Sequence, residues 1–226
     1  GIQAALSLDR AGYKVTLFEK SSELGGMINL AGVPPYKEAV FKFKEYLLNQ
    51  LEDSLVNVLL NKELTVEIVK ESPPDVLVIA TGSRPRLHGQ QSDGRGICVS
   101  GNDVLAGKCQ IAGQNVFIIG GGSTGCEIAD YLSQYDNHIT IVEANPYLAM
   151  DMEKKNRRDL MNRLEEKGVV KMTSAKVEKI TETGLQVTNG NGETLFFPAD
   201  KIVMATGFDP LRDLYTQCKF YVPHIY

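Results

Sequence analysis

Gly120, Gly122 and Gly125 stand at G-x-G-x-x-G spacing in IIGGGSTG, and Glu143 follows eighteen residues after the last of them. Residues of these types at this spacing suit a pyrophosphate and a ribose. The first glycine permits a tight turn, the second lets the backbone approach a pyrophosphate and the third lets a helix pack close to its strand. An acid ~20 residues on accepts hydrogen bonds from ribose hydroxyls. Gly121, Ser123 and Thr124 complete the loop, and free N–H groups at the start of a helix from about Ser123 face the phosphates, with the helix dipole favouring negative charge. The pattern occurs twice. Gly1 to Glu19 aligns without a gap on Gly125 to Glu143, pairing Ala5 with Ala129, Leu8 with Leu132, Thr16 with Thr140 and Glu19 with Glu143. DVLVIATG, ending in Thr81 and Gly82, recurs as DKIVMATG, ending in Thr206 and Gly207, 125 residues later. Two such sites on one chain imply two dinucleotides exchanging electrons.

The elements that must position these residues follow from the apolar patterning. NVFII (Asn115 to Ile119) is a buried strand, the helix after the glycines turns Ile128, Ala129 and Leu132 to one face, and His138 to Val142 is the next strand. In the first copy a helix from Ile2 to Arg10 stops at Gly12 and a strand covers Lys14 to Phe18. Gly25 and Gly26 follow Glu19 closely; paired glycines admit close approach of something bulky, or form a flexible turn. Pro34 and Pro35 lead into an amphipathic helix with Val40, Phe43, Leu47 and Leu51 inward and its lysines in solvent. The apolar run Val76 to Ala80 suits a strand covered on both sides. Ser83 to Lys108, rich in Gly, Ser, Asp, Arg and Pro, marks a crossing between domains, where Arg84 and Arg86 meet phosphate or simply lie in a solvated linker. A charged helix from Met152 to Lys167 then buries Leu160 and Leu164. Three strands between Lys176 and Phe197 form an antiparallel meander, and Lys201 to Ala205 returns to a buried strand. The fold class expected is α/β: two Rossmann-like domains with parallel sheets and a meander, over 1–88, 89–208 and a returning segment at 209–226. Because Gly1 takes the role of the third glycine, with no strand or earlier glycines before it, the chain reads as a piece of a longer protein.

Composition narrows the partners. A net charge of −4 with no run of lysine or arginine argues against nucleic acid or an anionic membrane, and no apolar stretch approaches a membrane span. The four cysteines, at 98, 109, 126 and 218, form neither a C-x-x-C pair nor a metal-ligand cluster, which points to reduced thiols in a cytoplasmic protein and counts against a disulfide reductase. The three histidines, at 88, 138 and 224, fit no triad or metal spacing. Neither a side-chain nucleophile nor a metal ligand is expected.

With these residues in hand, LFEKSSELGGMINLAGVPPYKE, VIATGSRP, NDVLAGK and VFIIGGGSTGCEIADYL are similar to the C-terminal region of the NADH:flavin oxidoreductases related to 2,4-dienoyl-CoA reductase, 2-enoate reductase and trimethylamine dehydrogenase. The resemblance implies an FAD domain interrupted by an NAD(P) domain. It also implies an N-terminal TIM barrel, absent from this sequence, that carries FMN and an iron-sulfur cluster. On that resemblance Gly1, Glu19, Gly25, Gly26, Thr81 and Gly82 match FAD-side positions, and Gly120, Gly121, Gly122, Ser123, Thr124, Gly125 and Glu143 the nicotinamide-nucleotide side. Glu127 either approaches the nicotinamide or is an acid favoured by the helix dipole. A carboxylate at 143 accepts from a ribose diol and repels a 2′-phosphate, and Ala144, Asn145 and Pro146 bring no arginine, so NADH is expected over NADPH. The function expected is hydride transfer from NAD(P)H to FAD, feeding centres on the barrel. Two alternatives stay open: a nucleotide-binding module with a structural ADP and no turnover, and a stand-alone reductase subunit like the small subunit of glutamate synthase.

Overall fold

The computed structural model of the chain describes residues 1–86 and 96–226. His88 and the expected domain boundary after residue 88 lie outside the described residues. Contacts group the chain into two compact units: one comprises 1–32, 37–84 and 210–226, the other 33–36 and 85–209.

The second unit is built on a five-stranded parallel sheet in the order Cys98–Ser100, Lys201–Met204, Asn115–Ile119, His138–Val142, Val170–Met172. Phe117, Ile119, Val142 and Ile202 pack with Leu185 and Val187 of an antiparallel meander formed by Lys176–Thr181, Gly184–Thr188 and Thr194–Pro198. Val116 and Ile118, which alternate with Phe117 and Ile119, are fully buried as well. Both faces of that strand are covered, as an unbroken apolar run requires. Helix Ser123–Leu132 buries Ile128, Ala129 and Leu132, and helix Lys154–Glu166 buries Leu160 and Leu164. Asp130, buried at 1% exposure, joins these two helices by accepting from Arg163 Nη2 at 2.9 Å and Lys167 Nζ at 2.6 Å.

In the first unit, helix Ile2–Arg10 and helix Glu38–Glu52 enclose a core of Ala5, Leu6, Leu47, Leu51 and Val56, with strand Thr16–Phe18 paired parallel to Asn57–Leu59. A second cluster gathers Val69, Leu77, Cys218 and Val222 around the parallel pair Val76–Leu77 and His224–Ile225. Among the described residues no helix is long and apolar enough to cross a membrane.

Three expectations are corrected. Phe43 is 52% exposed, because the apolar stripe through Leu47 and Leu51 passes over position 44 instead: the Lys44 side chain is 19% exposed and its ammonium lies 3.6 Å from Glu23. A lysine stem covers apolar surface while its charge reaches outward. Of Val76 to Ala80, only Val76–Leu77 joins a ladder and Val78 is exposed, because among the described residues the strand paired with it is His224–Ile225 alone. Within Ser83 to Lys108, strand Cys98–Ser100 forms an edge of the five-stranded sheet and helix Gly101–Leu105 follows, capped by Ser100 Oγ accepting from the Asp103 N–H at 3.0 Å.

The repeat reaches into backbone detail. Glu19 N–H donates to Leu59 O, as Glu143 N–H does to Met172 O, and Lys62 N–H donates to Glu19 O, as Ala175 N–H does to Glu143 O. Asn61 N–H donates to Ser21 O, as Ser174 N–H does to Asn145 O. Asn61 and Ser174 share left-handed φ values of 53° and 50°. Both units thus carry the Rossmann-like strand and acid turn that the sequence repeat describes.

Candidate nucleotide site

In the second unit a cavity of about 760 Å³ opens at the end of strand Asn115–Ile119. Gly120, Gly122, Ser123, Thr124 and Glu143 line it, joined by Ala175, Lys176 and Val177 from the edge of the meander and by Met204 to Phe208. This location follows from parallel-sheet topology, since ligands of such sheets sit beyond the carboxyl ends of the strands. The two outer glycines of the motif are set by contact. At Gly120, φ is +102° and a Cβ would run into the Ala205 carbonyl; at Gly125 a Cβ would run into the Gly120 carbonyl oxygen. Neither position admits a side chain without moving backbone.

Glu143 reaches back to the loop. Its Oε2 accepts from the Gly121 N–H at 2.6 Å, and its Oε1 accepts from the N–H and the side-chain amide of Asn145, each at 2.7 Å. Oε1 thus uses both of its lone pairs, while Oε2 keeps one open to a ribose hydroxyl. The first copy repeats the motif: Glu19 Oε1 accepts from Ser21 N–H at 2.8 Å. Gly121 and Gly125 are buried behind the cavity wall, and half-buried Glu127 is not among the lining residues. Among the described residues the cavity's charged lining consists of Glu143, Asp151 and Lys176, the last 3.4 Å from Glu178.

The FAD-side candidates all lie in the first unit. Gly1 caps helix Ile2–Arg10, and a Cβ there would lie in ordinary contact with Leu17 and Ala80. Gly25 and Gly26 have φ of +118° and +51°, in the turn after Glu19. Beside Gly25, Asn29 Oδ1 is buried with no hydrogen-bond partner, an acceptor open to a donor from a bound group. Thr81 Oγ1 donates to Leu211 O at 3.1 Å, and Gly82 O accepts from Leu211 N–H. Arg86 pairs with Asp209 at 2.8 Å, and Arg84 is exposed.

Sequence reasoning passed over several lining residues. Ala205, Thr206 and Gly207 carried a signal, the repeated ATG. Asp151 carried none: it stands 28 residues from Ser123, yet its Oδ1 accepts from the Ser123 N–H at 2.8 Å and its Oδ2 from the Ser123 hydroxyl at 2.6 Å. Burial pushes the Asp151 carboxyl up, but the two Ser123 hydrogen bonds together with one from its own backbone N–H outweigh this and hold it below the ordinary carboxylate value. The Cys126 thiol is pushed up to about 12, first by burial and then by the carboxylates of Asp151, Glu127 and Glu143.

The model of one family, pyridine nucleotide-disulphide oxidoreductase, matches residues 1–223. An NADH oxidase of Thermoanaerobacter brockii is 33% identical over 215 residues, covering 93% of this chain and 33% of that protein. A cinnamate reductase of Clostridium sporogenes is 34% identical over 241 residues, covering 99% and 34%. Among solved structures, a 2-naphthoyl-CoA reductase in complex with 2-naphthoyl-CoA superposes with a TM-score of 0.92 at 25% identity, over 100% of this chain and 34% of that one. The chain therefore spans about a third of the length of these relatives.

Proposed function

Since the chain belongs to the pyridine nucleotide-disulphide oxidoreductase family, we propose that it is the electron-input module of a longer flavoenzyme, moving a hydride from NAD(P)H, with NADH preferred, to FAD. One observation carries this reading: the glycine loop and the acid predicted from spacing bound a single cavity, and the two outer glycines are required there by backbone contacts. Gly120, Gly121, Gly122, Ser123, Thr124 and Gly125 bring the backbone to a pyrophosphate, and Glu143, steadied by Asn145, receives a ribose hydroxyl on Oε2. Gly1, Glu19, Gly25, Gly26, Thr81 and Gly82 hold FAD in the first unit, where the open Asn29 oxygen supports a bound group. The bound cofactors supply the redox chemistry, and the chain's own residues bind and orient them. Glu127 acts through the helix dipole, in keeping with its place off the cavity wall. Among the described residues Lys176 is the cation that lines the cavity and could meet a 2′-phosphate, and its pairing with Glu178 supports the preference for NADH.

We further place FMN and an iron-sulfur cluster on an N-terminal barrel of the same enzyme, a reading supported by relatives about three times as long. Four free thiols suit a reducing, cytoplasmic setting. The test is an anaerobic titration of the full-length enzyme with NADH, following flavin absorbance. Stoichiometric bleaching is expected. NADH binding without bleaching would replace this reading with that of a structural nucleotide site.

A further inference from the structure

We propose that Asp151 is an internal competitor for the pyrophosphate position and sets how tightly the cavity holds its nucleotide. The inference rests on the nucleotide reading of that cavity and adds a residue that neither motif nor repeat assigns. Three observations converge on one carboxylate. Both oxygens are engaged by Ser123, one on its N–H and one on its hydroxyl, at 2.8 and 2.6 Å. That N–H opens helix Ser123–Leu132, where the dipole favours an anion. A Cβ at Gly122 would lie 3.7 Å from each Asp151 oxygen and would meet nothing closer, so the carboxylate covers the face of the glycine that must stay bare for a phosphate to approach.

The segment carrying Asp151 is pinned to the loop. Ala149, with a left-handed φ of 49°, donates its N–H to Gly121 O at 2.7 Å, and Arg157 Nε donates to Leu148 O at 2.7 Å. The Asp151 side chain itself is exposed, so it can turn into water while the backbone stays in place. A nucleotide pyrophosphate and the Asp151 carboxylate are both anions seeking the same donors. Binding therefore requires Asp151 to release Ser123, and the cost appears as weakened affinity for any ligand that carries the pyrophosphate.

The experiment is anaerobic calorimetric titration of the full-length enzyme and of its Asp151→Asn and Asp151→Ala variants with NADH, ADP-ribose and adenosine, with thermal melting to confirm folding. Asparagine keeps the size and an acceptor for the Ser123 N–H while removing the charge. Both variants are expected to bind NADH and ADP-ribose about tenfold tighter than wild type, the effect of one charge-assisted contact, and adenosine unchanged. Unchanged or weaker NADH binding, or an equal gain for adenosine, overturns the role of Asp151 and leaves the site standing. Absence of binding for all three ligands in wild type and variants overturns the nucleotide reading and this inference with it.

Discussion

The two alanine substitutions Gly125→Ala and Gly122→Ala separate the folding role of the glycine loop from its binding role. At Gly125 the new methyl would collide with the Gly120 carbonyl oxygen and stand 3.0 Å from its carbon and 3.4 Å from Ala205 Cβ. Overpacking typically costs about 1–3 kcal/mol, and an obstacle made of backbone belongs at the upper end. Alanine recovers about 1 kcal/mol of helix propensity over glycine, leaving a net loss of about 2 kcal/mol. Gly122 is different. Its φ is −66°, a value open to any residue, and its Cβ would touch only Asp151 at 3.7 Å. As it is the helix N-cap, replacement by alanine costs at most about 1 kcal/mol. The methyl would nevertheless stand where a phosphate must pass, so NADH binding should fall about 10- to 100-fold. Urea unfolding followed by circular dichroism, suited to a chain without tryptophan, reads the first quantity and NADH titration the second. Equal destabilisation of the two variants, or a Gly125→Ala protein as stable as wild type, would refute the packing argument; undiminished NADH binding by Gly122→Ala would refute the placement of the pyrophosphate.

Three further predictions follow from other parts of the second unit. Asp130→Ala should lower stability by about 2–3 kcal/mol in urea titration, less than for a fully enclosed pair because the Arg163 and Lys167 side chains are 24% and 30% exposed and can turn to water. The Cys126 thiol, raised from 9.0 to about 12, contributes stability that is present below pH 9 and lost as pH rises from 9 towards 12, because only the unfolded chain ionises there. The stability difference between wild type and Cys126→Ala should therefore shrink across that window, and a pH-independent difference would contradict the assignment. Glu143→Gln removes the charge facing the ribose while keeping an acceptor for Asn145, and should raise the NADPH-to-NADH affinity ratio about tenfold in parallel titrations.

Legibility in the sequence tracked how local the cause was. Strand Asn115–Ile119 and strand His138–Val142 have the bounds expected from their apolar runs, and helix Ser123–Leu132 begins, as expected, directly after the second glycine of the motif. Each is determined by residues within itself. Strand Cys98–Ser100 was hidden because three residues beside polar neighbours look like linker, and only the pairing of Ile202, Val203 and Met204 with them makes a strand. Phe43 was misplaced because helical spacing from Leu47 allows position 43 or 44, and the Lys44 stem, close by Gly25, takes the inward side. On the cavity wall, Glu143 and the glycines were legible as a spaced motif. Asp151 was not, because a left-handed Ala149 and its hydrogen bond to Gly121 bring it to Ser123, and neither leaves a mark in composition or period.

The matched acid turns of the two units have a consequence for design. The same bend, closed by the same donor and acceptor positions, is occupied by asparagine at 61 and by serine at 174. Asparagine tolerates left-handed backbone better than serine does. One half of the molecule thus serves as a consensus for the other: Ser174→Asn transplants a choice already accepted by an equivalent corner, and makes that corner a first place to engineer a hardier protein.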